Sequence, residues 1–113
     1  MDKKILLKKI VLITGGAQGI GSFIAKRFLE EGASVVIADI DEAKFNRNFK
    51  NIDGDLLFIQ ADLTLSEDID KVYTSVYSKF KKLNILINNA AILDATSYNK
   101  LTMSHFNYVI NNN

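Results

Sequence analysis

The chain has 113 residues, 48% of them hydrophobic, which suits one soluble domain with a modest core. Fourteen Lys and Arg against thirteen Asp and Glu leave a net charge of +1, so neither a nucleic-acid-binding stripe nor an acidic tail is indicated. Cysteine is absent and histidine occurs once, at His105, which excludes disulfides, thiolate metal sites and a histidine metal cluster.

The basic opening MDKKILLKK has an apolar centre, Ile5 to Leu7, too short for a signal-peptide core. No stretch is long enough to cross a membrane, so a cytoplasmic protein with no membrane partner is expected. Ile10 to Ile13 (IVLI) reads as a strand buried on both faces, as in parallel sheets. The glycine-rich stretch Thr14-Gly15-Gly16-Ala17-Gln18-Gly19-Ile20-Gly21 follows. A helix then opens, with Ile20, Phe23, Ile24, Phe28 and Leu29 at helical spacing as its inner face. Gly32 reads as a left-handed helix end.

Val35 to Ala38 (VVIA) is a second buried strand, closed by Asp39, and Asp41 is placed to cap a short helix through about Asn48. Asp53-Gly54-Asp55 marks a turn before a third strand, Leu56 to Ala61. Thr64 and Glu67 have capping-box spacing at the start of a third helix, whose apolar stripe is Ile69, Val72, Tyr73, Val76 and Phe80. Ile85 to Ile87 is a fourth strand running into Asn88-Asn89-Ala90-Ala91. A polar loop then leads to a fourth helix from Thr102, with Phe106, Val109 and Ile110 inward. The order β-α-β-α-β-α-β-α implies a parallel sheet with right-handed crossovers: the first half of a Rossmann-like, doubly wound α/β fold.

The turn is the first chemical signal. A strand ending at Ile13 delivers the chain to a helix N-terminus, where free N–H groups and a partial positive charge favour a pyrophosphate. Gly15 permits the tight turn, Gly19 close approach, and Gly21 packing of the helix onto the sheet; Gln18 and Ile20 lie in the same cradle. Asp39, eighteen residues after Gly21, is placed to accept from adenosine ribose hydroxyls. Its charge would repel a 2′-phosphate, which favours NAD over NADP.

These residues resemble the N-terminal half of a short-chain dehydrogenase/reductase. The family turn TGxxxGxG is matched by Thr14, Gly15, Gly19 and Gly21. An Asp with an aliphatic neighbour after the third strand, matched by Asp62-Leu63, is implied to contact the adenine. The family motif NNAG is matched by Asn88, Asn89 and Ala90, with Ala91 in place of glycine, so Asn89, Ala90 and Ala91 are implied to border the cofactor. The family also carries an asparagine along the fourth helix that supports a proton relay. By spacing from Phe106 and Val109 this is Asn113, although Asn111 and Asn112 adjoin it.

The resemblance implies hydride transfer between a nicotinamide cofactor and a small carbonyl or alcohol substrate, with homodimers or homotetramers for complete members. It places a Ser, and a Tyr followed by a Lys one helical turn later, downstream of the fourth helix. The expectation is therefore a single NAD(P)-binding domain, residues 1–113, that stops before the catalytic segment and is inactive alone. The alternative is a non-catalytic dinucleotide-binding module or a degenerate gene product. Tyr77 and Lys81 have the Tyr-x-x-x-Lys spacing but precede the fourth strand, and so read as structural. Ser97, Tyr98 and Lys100 fall in the polar loop, and His105 reads as a partly exposed surface residue.

Overall fold

The computed structural model describes residues 4–90 and 95–112. Four parallel strands, β1 (Ile10–Thr14), β2 (Ser34–Asp39), β3 (Leu56–Gln60) and β4 (Ile85–Asn88), form one sheet in the order β3-β2-β1-β4. The helices are α1 (Gly19–Glu30), α2 (Glu42–Asn48), α3 (Ser66–Phe80), the single turn α4 (Ala95–Tyr98) and α5 (Met103–Asn112). This is the strand order of the first four strands of a Rossmann-type sheet.

The apolar runs become central strands because their side chains alternate between two cores. Ile10 and Leu12 of β1 join Val36, Ala38 and Ile59 on the face covered by α3 and α5. Val11 and Ile13 join Val35 and Ile37 on the face covered by α1 and α2. All five residues of β1 are buried, as the unbroken IVLI run requires.

The first core is organised around Tyr73, which is fully buried on α3. Its ring meets Phe106 of α5 edge-on at 5.5 Å, and its hydroxyl donates to the Thr102 carbonyl at 3.1 Å. Burial pushes its phenol well above the ordinary range, so it stays neutral. The second core carries a stack in which Phe45 lies 5.0 Å from Phe49 and 4.4 Å from Phe58, pinning α2 to β3.

Helix ends follow local chemistry. Gly32 has φ +92°, and the pair of bonds Ala33 N to Phe28 O and Gly32 N to Leu29 O closes α1 as a Schellman motif. Asp41 caps α2, its side chain accepting from Lys44 N at 3.0 Å. Thr102 caps α5, accepting from His105 N at 2.9 Å.

Three expectations are corrected. The Thr64–Glu67 capping box does not form. The Thr64 hydroxyl donates instead to Asp62 Oδ1 at 2.6 Å, and α3 starts two residues later. Asp62 Oδ1 also takes the Thr64 N–H at 3.0 Å, the group a Glu67 side chain would have accepted from, so this neighbouring carboxylate displaces the box. The stretch after β4 is not wholly a loop, because Ala95–Tyr98 forms a helical turn. Of the inner face read for α1, Leu29 is buried and Ile24 and Phe28 pack half-buried against the core, but Ile20 and Phe23 are 73% and 74% exposed and Gly21, Ser22 and Ala25 are buried instead. Small residues let the helix backbone lie close to the sheet and turn the two larger ones outward.

Ala25 is fully enclosed at that contact, so Ala25→Leu is expected to cost about 1–3 kcal/mol by overpacking. Phe23→Ser should stay within about 0.5 kcal/mol. Urea unfolding of the two variants measures the difference, and equal costs would restore the inner face read from the sequence.

Candidate functional site

The site lies at the C-terminal ends of β1 and β4, the switch point where the chain leaves the sheet in opposite directions. Thr14, fully buried at the end of β1, holds the two strand ends together. Its hydroxyl accepts from Asn89 N at 3.0 Å and Ala90 N at 3.2 Å, and donates to the Ile87 carbonyl at 3.4 Å. The one donor and both acceptor sites of a hydroxyl are used.

The three glycines have distinct duties. Gly15 has φ +68°, and a Cβ there would lie 2.9 Å from Ala90 Cα. Only glycine allows this turn to press against the segment after β4. At Gly21 a Cβ would lie 2.5 Å from Asn89 Nδ2 and 2.7 Å from the Gly15 carbonyl. Gly21 therefore packs against the turn and Asn89, a closer reason for glycine than contact with the body of the sheet. Gly19 has φ +61° and a Cβ there would meet nothing within 4 Å, so the space above it is open.

That opening faces the start of α1. The residue before it, Gln18, makes no side-chain cap, and the first turn carries no acidic residue. The α2 and α3 starts differ: Glu42 lies in the first turn of one, and Glu67 and Asp68 in that of the other. The α1 N-terminus thus offers uncapped N–H groups and a positive dipole end to open space, a fit for a pyrophosphate.

Asp39 ends β2 beside the turn. Its Oδ2 accepts from Ala17 N at 3.1 Å and its Oδ1 from Asp41 N at 3.0 Å. Asp41 is occupied as the α2 cap, which separates the two acids. Asp62 follows β3, and its Oδ1 accepts from both the hydroxyl and the N–H of Thr64, at 2.6 and 3.0 Å. The Thr64 hydroxyl, then its N–H, hold this carboxyl below the ordinary aspartate range. The Leu63 side chain is buried among the α3-side core residues. The Asn89 amide donates to the Gly15 carbonyl at 3.0 Å and braces the turn. Ala91 and Asn113 lie outside the described residues.

Sequence reading missed three partnerships that depend on long-range approach. Asn48 Nδ2 donates to the Ala17 carbonyl at 2.9 Å. Lys100 Nζ and Ser97 Oγ both reach Ser66 Oγ, at 3.0 and 3.3 Å, tying α4 to the start of α3. His105 pairs through Nε2 with Asp70 Oδ1 at 3.1 Å, its side chain 19% exposed. Tyr77 and Lys81 sit at the C-terminal end of α3, away from the strand C-termini; Tyr77 is 38% exposed, with Lys81 Nζ 5.3 Å from its ring centre. Among the described residues, no helix is long and apolar enough to cross a membrane.

Comparison with known proteins agrees with this geometry. Residues 9–113 match the family model described as short chain dehydrogenase. Galactitol 2-dehydrogenase of Agrobacterium fabrum is 39% identical over 108 residues, covering 96% of this chain and 42% of that protein. The 3-ketoacyl-(acyl-carrier-protein) reductase of Brucella melitensis, solved with NADH, superposes with a TM-score of 0.70 at 32% identity, over 94% of this chain and 48% of that one. A metagenomic short-chain oxidoreductase solved with NADP gives a TM-score of 0.72 at 29% identity, over 77% of this chain and 41% of that one. The chain spans less than half the length of each of these relatives.

Thr14→Val keeps the shape but leaves the Asn89 and Ala90 N–H groups without an acceptor. It is expected to cost about 2–3 kcal/mol in urea unfolding, with Thr14→Ser recovering most of it; a valine variant as stable as the parent would contradict the bridging role. The lowered Asp62 carboxyl stabilises the fold above its unfolded-state pKa, and this is lost as pH falls through the folded value. Thr64→Ala should move the Asp62 midpoint upward in a carboxyl NMR titration, and an unchanged midpoint would remove Thr64 as the cause.

Proposed function

The chain belongs to the short chain dehydrogenase family, and on that footing we propose that it forms the cofactor-holding part of an NAD(P)-dependent oxidoreductase. The reaction is hydride transfer between a nicotinamide cofactor and a small carbonyl or alcohol substrate. The observation that carries this reading is the uncapped start of α1 facing the open space above Gly19.

In this reading residues 1–113 are one dinucleotide-binding domain. Thr14, Gly15, Gln18, Gly19, Ile20 and Gly21 shape and line the pyrophosphate seat. Asp39 accepts from the adenosine ribose hydroxyls, and Asp62 with the Leu63 backbone meets the adenine edge. Asn89, Ala90 and Ala91 border the cofactor on the β4 side. When bound, the nicotinamide supplies the hydride chemistry; the residues of this chain bind and orient.

The preferred cofactor is NAD, because the Asp39 carboxylate opposes a 2′-phosphate at the place where it would accept from a free 2′-hydroxyl. Proton transfer to a substrate oxygen needs a positioned acid such as a tyrosine phenol. Tyr73 is sealed in the core, Tyr77 lies at the wrong end of α3, and neither Tyr98 nor Tyr108 has a lysine four residues on. The 113 residues alone are therefore expected to bind cofactor without turnover, with Asn113 the one relay residue assigned within them. A cytoplasmic homo-oligomer is the matching setting for the whole protein.

Titration of the 113-residue chain with NADH and NADPH, followed by nicotinamide fluorescence, tests the reading. NADH should bind at least about tenfold more tightly, a difference of about 1.4 kcal/mol, and Asp39→Ala should narrow the gap. No NADH binding would sink the cofactor site, tighter NADPH binding would sink the NAD preference, and oxidation of NADH on adding carbonyl substrates would sink the inactivity of the chain alone.

A further inference from the structure

The backbone at Ala17 is held on both sides of its Cα. Ala17 is fully buried, its N–H donates to Asp39 Oδ2 at 3.1 Å, and its carbonyl accepts from Asn48 Nδ2 at 2.9 Å. The N–H belongs to the Gly16–Ala17 peptide and the carbonyl to the Ala17–Gln18 peptide; the two planes meet at the Ala17 Cα, so the two bonds together fix the backbone on both sides of one buried residue. Asn48 thereby restrains the residue whose N–H holds the Asp39 carboxylate.

Asn48 is well placed for this. It is the last residue of α2, directly before Phe49, which is 7% exposed. Phe45 and Phe49 stack with each other and Phe45 with Phe58 of β3, while Lys26 Nζ lies 5.3 Å from the Phe49 ring centre. The end of α2 is thus anchored independently of the turn, and the amide of Asn48 reaches the turn from a fixed base.

An ionised carboxylate has about four acceptor sites. Two on Asp39 are used by Ala17 N and Asp41 N, one on each oxygen. One acceptor site per oxygen is left, which matches a vicinal diol with its two hydroxyl donors. We infer that Asn48 is a positioning residue for the adenosine end of the cofactor: by holding the Ala17 carbonyl it restrains the turn residue whose N–H orients the Asp39 carboxylate toward the ribose diol. The inference rests on the cofactor reading above and extends it to a residue in α2 that touches no part of the ligand.

A double-mutant cycle tests it, with NAD and AMP as calorimetric probes of the 113-residue chain. Asn48→Leu removes the donor at similar size and should weaken both probes about tenfold. Asn48→Gln, which keeps an amide donor, should recover part of the loss. In the Asp39→Ala background Asn48→Leu should weaken binding less than about twofold, because its effect passes through the carboxylate. Amide hydrogen exchange at Ala17 should quicken in Asn48→Leu without any ligand. Equal weakening in both backgrounds, or no weakening with Asp39 present, would overturn the positioning role. If the parent chain binds neither probe, the cofactor reading fails first and this inference falls with it.

Discussion

Everything at the candidate site depends on how closely the turn after β1 approaches the segment after β4. Thr14 spends its whole hydrogen-bonding capacity on that approach, and Gly15 and Gly21 leave no Cβ in its way. The constraint is geometric before it is chemical. A side chain at Gly15 would collide with Ala90 backbone, and one at Gly21 with the Asn89 amide that braces the Gly15 carbonyl. With the two strand ends locked, α1 starts from a fixed point at the switch of strand order, and its N-terminus points into open space.

The sheet supports this by being inert. Alternate residues of β1 feed two separate cores, and the helices over each face are pinned by aromatic contacts: Tyr73 with Phe106 on one side, Phe45 with Phe49 and Phe58 on the other. Neither core contributes a polar group to the site. Thr14, Asp39, Asp62 and Asn89 stand at strand C-termini or within two residues of them, while Asn48 reaches the turn from the end of α2. Loops at one edge of a parallel sheet can therefore carry binding chemistry while the layers beneath stay close-packed.

Much of this was legible in the residues. The four strands are unbroken apolar runs, and α3 shows its stripe from Ile69 to Val76 because that face is buried against sheet and α5 alike. Signals with a local cause, such as Gly32 and Asp41, also survived. What failed was local logic with a competitor nearby: Thr64 has two partners within reach and takes Asp62. On α1, Ile24, Phe28 and Leu29 pack inward as read, but Ile20 and Phe23 were misplaced because periodicity weighs large apolar residues, whereas close helix–sheet contact selects Gly21, Ser22 and Ala25. Asn48 was invisible for a different reason: its partner lies 31 residues away, and no spacing rule connects a helix end to a turn on another element.

The uncapped start of α1 also has an energetic meaning. A capping side chain is worth about 0.5–2 kcal/mol to a helix, and α2 and α5 both use one. α1 and α3 both start without one, but α3 carries Glu67 and Asp68 in its first turn, whereas α1 has no acidic residue there. Local rules broken without local compensation tend to mark functional positions. In the proposed reading the compensation is an anion: a cofactor phosphate at that N-terminus would satisfy the same N–H groups that a side chain does, and would stabilise the folded chain in proportion to its binding. The bracing of the turn by Thr14, Asn89 and Asn48 is what allows the helix to wait in that uncapped state without losing its shape.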